Sequence, residues 1–307
     1  MTLTGHIGPV YGVALSADGA LLASASQDGT VKLWSLAGER VREGTMLGMH
    51  GLPGGRLMAT LQGGIAQVRS VALSGDGQLV ASGNGDGTVG LWEAASGRLL
   101  ATLQGHAGPA YGVALSRDGR LLASAGNDGT VKLWDVPTRH LLTTLPGPAT
   151  GPLYRVALSD DGRFVASGSN DGTVMLWAAS SGQPLATLKG HTRGVFGVAL
   201  SGDGRLLASS SFDMTVKLWE VPSGRPLATL QGHTGVVLAV ALSADGGLVV
   251  SGSNDGTIKL WDPNSGACLR TLRGDRRYER MDITGLTGVT DAQRAALRAL
   301  GAVEHNS

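Results

Sequence analysis

Hydrophobic and polar residues alternate along short runs that recur through most of the chain. In residues 99–134 four such runs follow one another, LLATL, AYGVALS, LLASAG and TVKLW, and Asp-Gly turn sequences separate the last three. Alternation over four to eight residues predicts half-buried β-strands, and Asp-Gly between two such runs predicts a tight hairpin turn. Each unit of this kind therefore predicts four antiparallel strands.

The unit occurs six times. Tryptophans close the repeats at positions 34, 92, 134, 177, 219 and 261, with successive spacings of 58, 42, 43, 42 and 42 residues. This period indicates one supersecondary unit copied in tandem, and four strands per copy predict the blades of an all-β propeller. Pro184 and Pro226 fall in the first run of their repeats, which we expect to be the outermost strand because proline is tolerated at a sheet edge.

Composition narrows the classes of function. Lys and Arg number 25 against 24 Asp and Glu, so the chain lacks the basic excess that is typical of nucleic-acid-binding proteins. Cys268 is the single cysteine, which leaves no intrachain disulfide. The first residues do not form a secretory signal, and no apolar run approaches the ~18–20 residues that cross a bilayer. We therefore expect a cytoplasmic protein without a nucleic-acid or membrane partner.

The repeats resemble those of the WD-repeat (WD40) family, from residue 1 to about residue 273. Gly-His pairs open four of them, each His lies 22 residues before a turn Asp, and that Asp lies six residues before the Trp. The Trp-Asp ending itself survives at Trp134-Asp135 and Trp261-Asp262. The resemblance implies six four-stranded antiparallel blades over residues 1–273, with an insertion within residues 36–56.

The resemblance also implies a hydrogen-bonded tetrad of His, Ser, Asp and Trp in four of the blades. Buried indole, hydroxyl, imidazole and carboxylate groups each need a partner, and a satisfied network fixes one geometry. The four sets are His6, Ser24, Asp28 and Trp34; His106, Ser124, Asp128 and Trp134; His191, Ser209, Asp213 and Trp219; and His233, Ser251, Asp255 and Trp261. Gly64 and Pro148 replace the His in the second and fourth repeats, and we expect those two blades to be less stable.

A Ser, a His and an Asp in one blade also resemble a nucleophilic triad. The set recurs four times and always beside a Trp, whereas a true triad occurs once per site and needs an oxyanion hole. The sequence contains no phosphate-binding loop, no H-E-x-x-H and no G-x-S-x-G. We therefore predict no catalytic residue, no metal site and no cofactor.

Most aromatic residues outside the Trp set occupy one position of the repeat. Tyr11, Tyr111 and Phe196 stand five residues after the His position, as does Tyr154 if one inserted residue is allowed. By resemblance to WD-repeat proteins, this position and the one before the turn Asp surround the central opening on the top face. The predicted partner-binding residues are Tyr11, Arg69, Tyr111, Tyr154, Phe196, Phe212, Leu238, Gln27, Asn127, Asn170 and Asn254. Rigid aromatics beside amides suit protein recognition, and the alternative is that the rings plug the opening.

The two ends of the chain depart from the repeat. We expect residues 268–272 to form the outer strand of the sixth blade in preference to residues 1–6, which align with an outer strand as well. In the tail, residues 274–307, Thr290 and Gln293 predict a capping box and Gly301 a stop, which together bound a helix over 291–300. This tail is similar to those that close the WD-repeat arrays of bacterial signalling NTPases and regulators.

These observations favour a monomeric, non-catalytic scaffold or sensor that binds a protein or peptide, with a place in bacterial signal transduction. A second interpretation is a regulatory module that restrains an NTPase domain of a longer polypeptide. A third and remote one is a propeller enzyme.

Overall fold

The expected all-β fold is confirmed by the computed structural model of the chain. It describes residues 2–36, 55–62, 66–148, 151–273, 284, 286, 290–299 and 303–304. Within these residues the strands form six four-stranded antiparallel sheets, and in each sheet the chain runs from one edge strand to the other in sequence order. The predicted insertion falls mainly on residues 37–54, which lie outside the described part.

The first three blades take up residues 10–146. Blade 1 contains β1 (Val10–Leu15), β2 (Leu21–Ser26), β3 (Val31–Ser35) and β4 (Arg56–Leu61). Blade 2 contains β5 (Val68–Leu73), β6 (Leu79–Asn84), β7 (Thr88–Glu93) and β8 (Leu99–Gln104). Blade 3 contains β9 (Ala110–Leu115), β10 (Leu121–Gly126), β11 (Thr130–Asp135) and β12 (His140–Pro146).

The last three blades and a helix take up the rest. Blade 4 contains β13 (Leu153–Leu158), β14 (Phe164–Ser169), β15 (Val174–Ala178) and β16 (Pro184–Leu188). Blade 5 contains β17 (Val195–Leu200), β18 (Leu206–Ser211), β19 (Val216–Glu220) and β20 (Pro226–Leu230). Blade 6 contains β21 (Val237–Leu242), β22 (Val249–Ser253), β23 (Thr257–Trp261) and β24 (Cys268–Arg273), and α1 (Asp291–Ala299) follows.

The turn between the two innermost strands of each blade is held by a Ser and an Asp. In blade 1 the Ser16 hydroxyl donates to Asp18 Oδ1 over 2.5 Å, and the same oxygen accepts the Ala20 N–H over 3.0 Å. Gly19 follows with φ of +68°, a left-handed conformation that glycine adopts without strain. The other blades repeat this arrangement. The recurring Asp residues are therefore turn residues.

The core lies in the joints between consecutive blades. In the joint between blades 1 and 2, Val31 and Leu33 of β3 pack with Val68 and Val71 of β5 and with Trp92 of β7. Four further clusters of the same kind fill the joints from blade 2 to blade 6. The innermost strands β1, β5, β9, β13, β17 and β21 pack against one another in that order and surround a central opening.

The outer strands of blades 4, 5 and 6 are the segments that the sequence analysis predicted. Pro184 and Pro226 begin β16 and β20, which are the outer strands of blades 4 and 5. The outer strand of blade 6 is β24, with Trp261 opposite Cys268, whereas residues 2–9 lie in no strand. The expectation that the later segment provides this edge is thus confirmed.

The tail helix is confirmed over residues 291–299. It begins with a capping box, because Gln293 Oε1 accepts the Thr290 N–H over 2.9 Å and the Thr290 hydroxyl accepts the Gln293 N–H over 3.2 Å. Arg294 donates to Glu304 and to the Leu286 carbonyl. The expected last residue, 300, lies outside the described part.

Candidate partner-binding face

Four blades each contain one linked set of Trp, Ser, His and Asp. In blade 1 the Trp34 indole donates to Ser24 Oγ over 2.9 Å, His6 Nε2 lies 2.8 Å from the same oxygen, and His6 Nδ1 lies 2.9 Å from Asp28. The equivalent contacts in blades 3, 5 and 6 measure 2.8–3.0 Å. The structure therefore brings together all sixteen residues in the four sets that the resemblance implied.

The hydrogen bonds of each set run in one direction if the imidazole is neutral. The Ser hydroxyl accepts from the indole and donates to His Nε2, and His Nδ1–H donates to the carboxylate. Burial lowers the pKa of His106 and of His191 below the ordinary value of 6.5, which favours this neutral form. For Asp28, burial acts to raise the pKa, but hydrogen bonds from Thr30 and His6 outweigh it and hold the pKa well below its ordinary range.

The serines of these sets are not presented to solvent as the nucleophile of a triad is. The buried serines are Ser24, Ser124, Ser209 and Ser251. Each carboxylate is also occupied by the backbone, as where the Ile7 N–H donates to Asp28 over 3.1 Å. The chemistry of the sets is that of a satisfied buried network, which ties the segment before the first strand of the blade to the turn between its second and third strands.

Blades 2 and 4 lack the imidazole. In blade 2 the Trp92 indole still donates to Ser82, over a longer 3.3 Å. In blade 4 the Ser167 hydroxyl is fully buried and has no hydrogen-bond partner. Pro148, which replaces the His there, offers no side-chain acceptor. Gly64, its counterpart in blade 2, lies outside the described residues.

A β-bulge at the start of every innermost strand sets the direction of the predicted face residues. In β1 the register passes from Val10 opposite Ser26 to Gly12 opposite Ala25, so Tyr11 is the extra residue. The same shift singles out Arg69, Tyr111, Tyr154, Phe196 and Leu238 in the other five blades. A bulge re-aims a side chain away from the alternation of its strand. All six residues thereby stand outside the regular pairing, one position after the start of each innermost strand.

Four of the aromatic side chains form one continuous row. The ring centroids of Tyr111 and Tyr154 lie 5.6 Å apart, those of Tyr154 and Phe196 4.9 Å apart, and those of Phe196 and Phe212 5.1 Å apart. We call these four residues the aromatic row; it crosses blades 3, 4 and 5. All four are half-buried, so each keeps part of its ring accessible to a partner.

The remaining predicted residues lie around the row rather than in it. Tyr11 pairs with Arg69, whose guanidinium carbon lies 5.2 Å from the Tyr11 ring centroid, a cation–π distance. The hydroxyls of Tyr111 and Tyr154 lie 3.4 and 3.1 Å from the side-chain oxygens of Asn127 and Asn170. The others are exposed and do not join the row: Gln27, Leu238 and Asn254.

Arg155 is a member of this site that the sequence analysis missed. Its guanidinium donates to the carbonyls of Tyr11 over 3.0 Å and Tyr111 over 2.9 Å, and it lies 3.5 Å from the carbonyl of Arg69. These carbonyls belong to blades 1, 3 and 2, so one side chain ties three bulges together across the opening. Burial lowers the pKa of the guanidinium, which nevertheless stays charged. A signal was present, because the other five repeats carry only Gly, Ser or Ala at this position.

The repeats match the sequence model of one protein family. The WD domain, G-beta repeat model matches residues 1–35, 55–93, 97–135, 139–178, 182–220 and 224–262, which is most of the chain. The chain belongs to the WD40 family. Each match after the first covers the outer strand of one blade and the three inner strands of the next, as residues 97–135 cover β8 together with β9, β10 and β11. The predicted recognition of the family is confirmed.

One relative is similar to part of this WD-repeat chain. It is the "Probable cytosolic iron-sulfur protein assembly protein 1" of Malassezia globosa, 42% identical over 91 residues, which are 30% of this chain and 25% of the relative. The chain thus spans about a quarter of the relative that it matches. The relative is fungal and its name refers to iron–sulfur assembly, so it lends no support to the expectation of bacterial signalling.

Metal-binding clusters and membrane-spanning helices are two other features that a chain of this size can carry. The described residues contain no group of three or more His, Cys, Asp or Glu side chains that could hold a metal ion. In the same part of the chain, no helix is long and apolar enough to cross a membrane.

Proposed function

We propose that this WD40 propeller is a non-catalytic platform that binds a protein or peptide over the aromatic row. The proposal rests on one observation: four half-buried rings from three blades stack into a single surface at the end of the central opening. Tyrosine and phenylalanine provide large contact areas at a small cost in side-chain entropy. Two exposed amides, Asn127 and Asn170, lie within hydrogen-bonding distance of the Tyr111 and Tyr154 hydroxyls and supply polar groups beside the rings.

The fixed geometry of the row favours binding over a purely structural role. The bulges aim the rings outward, and the hydrogen bonds of Arg155 hold the backbone beneath them. Side chains that are already ordered lose little entropy when a partner docks on them. The competing hypothesis is that the rings only plug the opening and stabilise the propeller.

A double substitution separates these two hypotheses. If the row is a binding surface, Tyr111→Ala with Phe196→Ala removes two central anchors of ~2 kcal/mol or more each and abolishes capture of a partner, while the melting temperature stays near that of the wild type. The plug hypothesis predicts that the double variant melts several degrees lower and still binds.

The assay pairs a pull-down, read by mass spectrometry, with a circular-dichroism melt. A control replaces two exposed leucines, Leu227→Ala and Leu269→Ala, which lie on the outer strands of blades 5 and 6 and not on the innermost strands that carry Tyr111 and Phe196. Binding by a stable Tyr111/Phe196 variant, or equal loss in the control, contradicts the proposal.

The cellular setting is part of the same proposal. A cytoplasmic, monomeric scaffold in a bacterial signalling system stays a prediction of the sequence, as does the alternative of a module that restrains a neighbouring NTPase domain. The likeness to the iron–sulfur assembly protein extends over 91 residues, and it supports a scaffold role.

A further inference from the structure

The joint between blade 6 and blade 1 differs from the other five. Innermost strands of consecutive blades pack closely from β1 to β21, but β21 and β1 are not among the closely packed pairs. The buried clusters of the described residues fill five joints, and none of them combines residues of blade 6 with residues of blade 1. The ring is therefore interrupted here, and we call this place the open joint.

Blade 6 exposes the face that every other blade buries against its successor. Ile258 is 46% exposed, whereas Val31 at the same position of blade 1 is 1% exposed. Leu272 is exposed as well, although its counterpart Leu61 is buried. A Cβ built on Gly252 meets nothing within 4 Å. A groove of about 410 Å³ runs along this face.

Blade 1 exposes the opposite face, which every other blade buries against its predecessor. Val13 is 63% exposed, whereas Val71 at the same position of blade 2 is 6% exposed. Val10 and Leu15 of the same strand are exposed too. Contiguous apolar surface of this kind marks an interaction site in a folded protein. Both sides of the open joint thus carry the residues of a blade joint but no blade between them.

The dimensions of the ring limit what fits into the open joint. A central cavity of about 350 Å³ is lined by the innermost strands of all six blades, and Arg155 of blade 4 reaches the Tyr11 carbonyl of blade 1 across it. The six blades therefore surround one opening, which leaves a single break in the ring. Within the described residues, a second copy of the chain offers the same two faces, each inside its own break, and no four-stranded blade that stands apart from the ring.

We propose that the open joint is a docking site for one four-stranded β-blade carried by a partner polypeptide. One side of such a blade would cover Ile258 and Leu272, as blade 2 covers Val31 and Leu61, and its other side would cover Val13. A segment of about 40 residues forms a blade in this architecture, and it cannot bury both of its faces alone. The groove shares Leu238 with the predicted face but none of the four residues of the aromatic row, so this inference does not rest on the function proposed above.

The test uses a blade of known structure as the probe. A second copy of residues 105–148, which contain blade 3, is fused to the amino terminus of the full chain through a flexible linker. Cys268→Ser removes the exposed native thiol, and Ile258→Cys places a single reporter in the open joint. The rate of maleimide labelling is measured with and without the fused blade.

We expect rapid labelling of the unfused chain and at least tenfold slower labelling when the blade is fused. A control fusion carries Val113→Asp and Val131→Asp in the added copy, because these valines face the two joints of blade 3, and it should leave labelling rapid. A reporter at the buried Val31→Cys position should label slowly in every protein.

Two results overturn the proposal. Slow labelling of Ile258→Cys in the unfused chain means that the open joint is closed by the chain itself or by a second copy, which light scattering would tell apart. Equal labelling rates in the intact and the control fusion mean that the open joint does not accept a blade.

Discussion

Two serines at the same position of neighbouring blades give a direct measure of what the tetrad contributes. Ser124 of blade 3 and Ser167 of blade 4 are both fully buried, but only Ser124 has hydrogen-bond partners in Trp134 and His106. Replacement by Ala makes the same small change in volume at both sites. Any difference between the two variants in the free energy of unfolding therefore measures the contribution of the hydrogen bonds that Ser124 makes.

The expected magnitudes follow from the partners. Ser124→Ala leaves the Trp134 indole and His106 Nε2 unsatisfied in the interior, and each such group costs roughly 1–3 kcal/mol, so we expect a total loss of about 2–4 kcal/mol. Ser167→Ala removes a buried hydroxyl that has no partner, and its effect should be within about 0.5 kcal/mol of zero or slightly stabilising.

The assay is urea unfolding followed by tryptophan fluorescence and by circular dichroism, with midpoints and slopes compared under one buffer. The slopes should agree with that of the wild type, since the unfolded chains expose the same surface. Equal destabilisation by the two substitutions would refute the reasoning, because it would mean that packing and not hydrogen bonding decides the stability of a blade.

Two further predictions concern charge. Arg155→Met keeps much of the side-chain volume but removes the donors to the Tyr11 and Tyr111 carbonyls, and we expect a loss of roughly 1–3 kcal/mol in urea unfolding together with weaker binding over the aromatic row. The lowered pKa values of His106 and His191 mean that the unfolded chain binds protons more readily than the folded one. Their contribution to stability is therefore complete above pH 6.5 and declines as the pH falls below that value. Unfolding midpoints between pH 7.5 and 5 check this, and a midpoint that rises on acidification contradicts it.

Much of the candidate site could be predicted because residues at a fixed spacing in the repeat come into contact in the same way in each blade. A His and an Asp 22 residues apart meet in every blade that has both, since the two strands and turns between them are the same each time. The aromatic position could be recognised in the same way. The bulge that aims Tyr11 or Phe196 outward could not, because a bulge is one extra residue in a ladder and leaves the alternation of a six-residue strand almost unchanged.

Contacts between distant blades required the tertiary structure. The guanidinium of Arg155 approaches the carbonyls of three residues that lie 44, 86 and 144 positions away in the sequence. These groups come close together because the blades are arranged around one opening. The separation of Tyr11 from the aromatic row has the same origin. Tyr11 and Tyr111 hold the same position of their repeats, yet only Tyr111 stacks on Tyr154, since only these two stand on adjacent blades.

The sequence by itself determined the six blades, their four strands, their tetrads and their turns, because each of these depends on contacts within about 40 residues. The exposed apolar faces at Ile258 and Val13 came to light only in the structure. Whether those two faces meet depends on the rotation from each blade to the next, summed over five joints. No local pattern encodes that sum, and only the tertiary structure decided that the joint between blade 6 and blade 1 stays open.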